Sequence, residues 1–241
     1  MKNKKLYIYP VIYFLLSVIG FAILNYFGIQ YDDPRIHFYA IPMMLVISGF
    51  VIWANEKSLL LNKEDFIPNS KFALLNWIPI LTILMAIASL VEAIASKGDP
   101  TKIIWAIILT FLIGFSEEGL FRKFLISEGE KEFSSLKILI YSTLVFGLLH
   151  MANIASGLSF TSALIQSAFS LPFGLLAGFL FMETKNISAM IFWHMSVDYS
   201  LFLSELGDFK SATIFGYIID LLLVISVLIL LYKKLKKKKT C

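Results

Sequence analysis

The chain has 241 residues, 58% of them hydrophobic and 15% aromatic, with a mean hydropathy of +0.79 and a net charge of +4. An ordinary soluble domain is roughly 45–50% apolar, so this composition excludes a soluble globular fold and points to a membrane protein. Nucleic-acid binding is a poor reading of the positive charge, because the lysines fall between apolar runs and act as a topology signal.

A membrane-spanning helix needs about 20 mostly apolar residues. Eight stretches qualify, at about 7–28, 36–54, 73–95, 103–121, 137–153, 160–182, 187–203 and 213–232. They predict an all-α, polytopic transmembrane helical bundle of about eight helices, one integral membrane domain over residues 1–241 without internal repeats. The first run follows Lys2, Lys4 and Lys5 as a signal peptide would. It exceeds the roughly 7–15 apolar residues of such a signal and lacks an A-x-A site, so it reads as a retained helix. The polar connections at 55–72 and 123–136 read as loops or surface helices. Pro172 interrupts the sixth span and predicts a kink, while Gly174 and Gly178 give that span a small-residue face for helix packing.

With eight spans, 17 of the 21 lysines and arginines fall on the side that holds both termini, and 4 on the other. That asymmetry places both termini in the cytoplasm. The tail "KKLKKKK" (233–239) fixes orientation and suits contact with anionic lipid. Lysine outnumbers arginine 19 to 2, which accords with a bacterial source and hence a multi-pass protein of the cytoplasmic membrane. Cys241 is the sole cysteine, so no disulfide forms within the chain.

A charged side chain at the centre of a bilayer costs at least about 2.5 kcal/mol, so ionisable residues inside spans are functional candidates. Here they are Glu92 in span three, Glu117, Glu118 and Arg122 in span four, His150 in span five, His194 and Asp198 in span seven, and Asp220 in span eight. Glu118 and Arg122 are four residues apart, on one helical face, and can pair. Glu117 is rotated about 100° from Glu118 and stays free to take a proton from water. His194 and Asp198 are also four apart, so the carboxylate can orient the imidazole. At about 1.5 Å per residue across a core of about 30 Å, Glu117 lies roughly 9 Å from the cytoplasmic face, His194 roughly 10 Å and His150 roughly 20 Å. Each group alone has a plainer reading: a hydrogen-bonded core histidine, a snorkelling ion pair at a helix end, a polar clamp between helices. Three helices offering acid, base and imidazole groups near one layer are harder to assign to packing.

On these residues the sequence resembles the CAAX protease and bacteriocin-processing family of intramembrane endopeptidases, which includes the type II CAAX prenyl endopeptidases. The family pattern E-E-x-x-x-R, F-x-x-x-H and H-x-x-x-N/D appears in order as "EEGLFR" (Glu117 to Arg122), "FGLLH" (Phe146 to His150) and "HMSVD" (His194 to Asp198). The motif-bearing core covers about 103–203. The resemblance implies an intramembrane protease of glutamate or metallo type in which Glu117 activates water and Glu118 with Arg122 braces the site. His150 and His194 would support the water and the oxyanion, or would bind a divalent metal such as zinc together with Glu117; catalysis without a metal is equally open. Position 198 carries Asp where other members have Asn, and an ionised carboxylate cannot donate to an oxyanion. Asp198 is therefore expected to orient His194 or assist a metal. The implied partners are membrane lipid and a hydrophobic peptide or membrane-protein substrate. A bacterial source argues against a prenylated one. The main rival is a non-catalytic immunity protein that binds a peptide toxin in the membrane. A proton-coupled transporter and a rhomboid-like serine protease, the latter resting on "ASG" at 155–157, are further alternatives.

Overall fold

Short polar residues mark where the long helices begin. Asp99 is extended ahead of Pro100, and its Oδ1 accepts the Thr101 N–H at 2.9 Å. Proline at the first helical position gives up an N–H that would have no helical partner there. Ser159 accepts the Ser162 N–H at 3.1 Å, and Asn186 accepts the Ala189 N–H at 3.0 Å.

The computed structural model describes residues 3–55, 77–95 and 98–206, with the single positions 221, 225 and 228. The elements are α1 (Lys5–Tyr26), a short α2 (Ile36–Tyr39), α3 (Ile41–Ala54), α4 (Trp77–Ala95), α5 (Pro100–Glu118), a π turn (Gly119–Phe124), α6 (Leu125–Gly129), α7 (Ser135–Leu149), a 3₁₀ segment (His150–Ser156), α8 (Phe160–Thr184) and α9 (Ile187–Leu206). No strand occurs among the described residues. Five segments are long and apolar enough to cross a membrane: Lys5–Tyr26, Ile36–Ala54, Pro100–Gly129, Ser135–Ser156 and Phe160–Thr184. The molecule is a multi-pass helical membrane protein.

Seven of the eight expected spans have a helix at their place among the described residues. The eighth, 213–232 with Asp220, lies outside them except for Leu221, Ile225 and Leu228, as do residues 56–72 and the tail 233–239. Two boundaries differ from the sequence reading. The fourth span runs on through the π turn to Gly129, so the first half of the connection 123–136, expected as a loop or surface helix, continues that span. The fifth leaves α geometry at His150. Pro172 sits inside a continuous α8.

α5 is the central element, with α2, α3, α4 and α9 packed against it, while α7 packs on α8 and α1 on α3 and the 3₁₀ segment. The Asn3 N–H donates to Glu132 Oε1 at 2.6 Å and Lys185 pairs with Glu130 at 2.6 Å, gathering the N-terminus, the loop after α6 and the α8–α9 turn at one end. At the other end the Tyr31 N–H donates to Ser156 O at 3.0 Å. This alternation of ends is the one that successive spans require over these residues. Glycine controls how near the helices come: a Cβ at Gly178 would meet Leu139 Cδ1 at 2.7 Å, and one at Gly174 would meet Phe146 Cδ1 at 3.0 Å. The expected small-residue face of α8 is thus the face that seats α7.

Candidate active site

Gly114 determines how closely α5 and α9 approach. A Cβ there would stand 2.9 Å from Ile191 O and 3.2 Å from Met195 N, both backbone atoms. Without one, the two helices touch, and the side chains one turn further along α5 reach His194. From Gly114 to Ile126 every residue is buried except Glu117 and Lys123. A helix this enclosed can carry charges only if other side chains meet them.

Glu118 and Arg122 are fully buried, with Arg122 Nε 3.1 Å from Glu118 Oε2. The guanidinium also lies over the Phe146 ring, 4.5 Å from its centroid. The other oxygen of Glu118, Oε1, meets His194 Nδ1 at 2.9 Å. One carboxylate therefore neutralises the arginine and holds the imidazole. With Nδ1–H donated to Glu118, Nε2 is left for chemistry.

Around His194 Nε2 stand Glu117 Oε2 at 3.8 Å and Asp198 Oδ2 at 3.5 Å. The side chains of Glu117 and Asp198 are 13% and 21% exposed, whereas that of Glu118 is sealed. Two carboxylates thus face one imidazole nitrogen, and Glu117 Oε2 is itself buried without a hydrogen-bond partner. The sequence reading has Asp198 orient His194 or assist a metal; in the structure Glu118 holds Nδ1, while Asp198, one turn along α9, stands 3.5 Å from Nε2.

His150 stands one ring removed. Its Nδ1 meets Phe146 O at 3.2 Å, within its own helix, and its ring lies against that of Phe146 at 5.4 Å. Phe146 in turn packs on His194 at 5.9 Å, so the phenylalanine links Arg122 and both histidines. His150 starts the 3₁₀ segment that follows α7. Among the described residues no group of three His, Cys, Asp or Glu side chains could hold a metal ion. The expected set of Glu117, His150 and His194 does not form such a group.

Several contributors escaped the sequence reading. Gly114 sets the helix approach, and Phe173 lies against His194 with ring centroids 4.8 Å apart. Carbonyls of the π turn after Glu118 accept from side chains elsewhere in the fold: Ser142 Oγ donates to Phe121 O at 2.8 Å, and Asn55 Nδ2 donates to Gly119 O at 3.2 Å. Such turns recur at functional sites. Tyr13 of α1 lies 2.9 Å from Ser116 Oγ. Only Gly114 carried a local signal, as a small residue one turn before the acidic pair; the rest are apolar or neutral residues in unremarkable runs.

Residues 99–200 match the family model described as Rce1-like, type II CAAX prenyl endopeptidase Rce1-like. No curated protein and no solved structure matches the chain. The matched segment holds Glu117, Glu118, Arg122, His150, His194 and Asp198, and with them the whole contact set built on His194. Over residues 99–200, somewhat under half of its length, the chain is thus similar to the CAAX prenyl endopeptidases.

Proposed function

We propose that the protein is an intramembrane endopeptidase that hydrolyses a peptide bond of a hydrophobic peptide or membrane-protein segment with water activated by Glu117. The observation that carries this reading is the convergence of Asp198 and of Glu117, whose Oε2 is buried without a hydrogen-bond partner, on His194 Nε2, with Nδ1 held by a sealed Glu118. Water seated there donates one proton to Glu117 and is oriented by Asp198. Its oxygen attacks the scissile carbonyl carbon, and the charge developing on the carbonyl oxygen is met by a proton-bearing His194 Nε2. Glu117 then passes its proton to the amide nitrogen as the C–N bond breaks. Glu118 and Arg122 touch no reacting atom and act by fixing the imidazole. Substrates would enter from the end of the bundle that carries the lysine-rich loops, the cytoplasmic end by the distribution of basic residues.

The test is incubation of the purified full chain in lipid vesicles with a bacterial membrane peptidome, wild type against Glu117→Gln, with new termini read by mass spectrometry. Loss of a general base costs about 10²–10⁴-fold, so wild-type products should vanish in the variant while its melting temperature is kept. A chelator arm decides whether a metal contributes. Identical product sets from the two proteins would overturn the proposal in favour of peptide sequestration.

A further inference from the structure

Two buried polar side chains outside the matched segment close on the glutamate pair from either side. Tyr13, on α1, is 1% exposed, with its hydroxyl 2.9 Å from Ser116 Oγ. Ser116 Oγ–H donates to Ile113 O at 3.1 Å, so in this pair Ser116 accepts and the Tyr13 hydroxyl donates. Asn55, the residue just past α3, donates from Nδ2 to Val51 O at 2.9 Å and to Gly119 O at 3.2 Å. Ser116 immediately precedes Glu117, and Gly119 immediately follows Glu118. The acidic pair is therefore pinned at both flanks by partners 103 and 64 residues away in sequence.

Neither contact is a generic helix–helix one. Gly119 opens the π turn, where the widened backbone loosens its regular hydrogen bonds, and an unpaired carbonyl in hydrocarbon costs several kcal/mol. Asn55 Nδ2 supplies a donor to Gly119 O there. The Tyr13 ring is packed edge-on against Phe121 of the same turn, 5.7 Å between centroids, so its hydroxyl is aimed rather than free. Both fix the rotation of the turn that sets the 3.8 Å separation of Glu117 Oε2 from His194 Nε2.

We infer that Tyr13 and Asn55 are positioning residues for the Glu117–Glu118 pair, so that α1 and α3 form part of the catalytic apparatus although they lie outside the family-matched segment. This rests on the proposed function. Neither residue touches water or substrate; each acts through the backbone or hydroxyl next to a glutamate.

The test compares the full chain with Tyr13→Phe, Asn55→Ala and the control Ser89→Ala, which removes a buried interhelical hydroxyl contact of 2.8 Å to Ser200 away from the acidic turn. The assay is hydrolysis of a quenched-fluorescent hydrophobic peptide carrying a bond cleaved in the peptidome experiment. Misplaced catalytic groups lose roughly tenfold to a hundredfold in rate, so kcat should fall by that much in both variants while KM stays within about twofold. Ser89→Ala should lower the melting temperature comparably and leave kcat unchanged. A second readout needs no turnover: labelling by dicyclohexylcarbodiimide, mapped by mass spectrometry, should shift the ratio of Glu117 to Asp198 modification in Tyr13→Phe and Asn55→Ala but not in Ser89→Ala. If both variants follow Ser89→Ala in kcat and labelling ratio, the inference is overturned. If wild type and Glu117→Gln are equally inactive, the proposed function fails instead, and the labelling ratio alone decides the positioning. Tyr13→Phe keeps the ring packed on Phe121, so it decides the matter should Asn55→Ala not fold.

Discussion

The seam between α5 and α9 and the seam between α7 and α8 use the same device for different ends. In both, glycines let two helices approach until backbone or side-chain tips touch: Gly114 faces the backbone of Ile191 and Met195, and Gly178 faces the tip of Leu139. What differs is the residue one turn away. Beyond Gly114 come Glu117 and Glu118, which meet His194; beside Gly178 the neighbours are Leu139 and Ile126, which make an apolar floor. Close approach is thus a means of removing water, and the side chains brought together decide whether the result is a site or a seal.

The comparison can be broken hardest at His194. Replacing it with Gln should lower hydrolysis by about 10²–10⁴-fold, measured as kcat on folded protein, while substitutions confined to the α7–α8 floor should not approach that loss. Next in size is Arg122→Met, which leaves Glu118 buried without its cation and should cost about 3–5 kcal/mol of stability, read by denaturant unfolding in detergent. The double variant Glu118→Leu with Arg122→Met should recover most of that stability and none of the activity, because His194 loses its Nδ1 partner.

Glycine substitution sharpens the contrast at a smaller scale. Gly114→Ala pushes a methyl against backbone and should cost about 1–3 kcal/mol together with a loss of kcat, since α5 and α9 must separate. Gly178→Ala meets only a flexible side-chain tip, and the helix-propensity gain of up to about 1 kcal/mol should offset most of the clash, leaving melting temperature and activity near wild type. The smallest effect belongs to the loop between α1 and α2, where Arg35 pairs with Asp33 at 2.6 Å and holds its carboxyl below the usual range. A carboxyl lowered on folding contributes above its unfolded pKa of about 3.9 and loses that contribution as pH falls through the lower folded value. Asp33→Asn should therefore melt slightly below wild type at neutral pH, with the two curves converging in strong acid.

How much of the site was legible follows from distance along the chain. The pairing of Glu118 with Arg122 could be read because four residues is one helical turn, and it is found at 3.1 Å. The grouping of Glu117 with His194 could be suspected from similar depths in separate spans, and that of Asp198 from its place one turn from His194. That Glu118 rather than Asp198 takes His194 Nδ1 could not, because it depends on the rotation of α5 relative to α9 about the Gly114 contact. Tyr13 and Asn55 were out of reach for the same reason: their partners lie 103 and 64 residues away, and neither residue differs locally from its neighbours.

By itself the sequence determined the class of the protein, the placing of its apolar helices and the short list of charged groups inside them, because each follows from the free energy of moving a residue into hydrocarbon and from local helical spacing. Tertiary structure alone decided which glutamate holds the imidazole, which is partly exposed, and which residues of other helices touch the neighbours of the acidic pair. Those depend on contacts between helices, and the geometry of such contacts is set by whole packed faces rather than by any one stretch of residues.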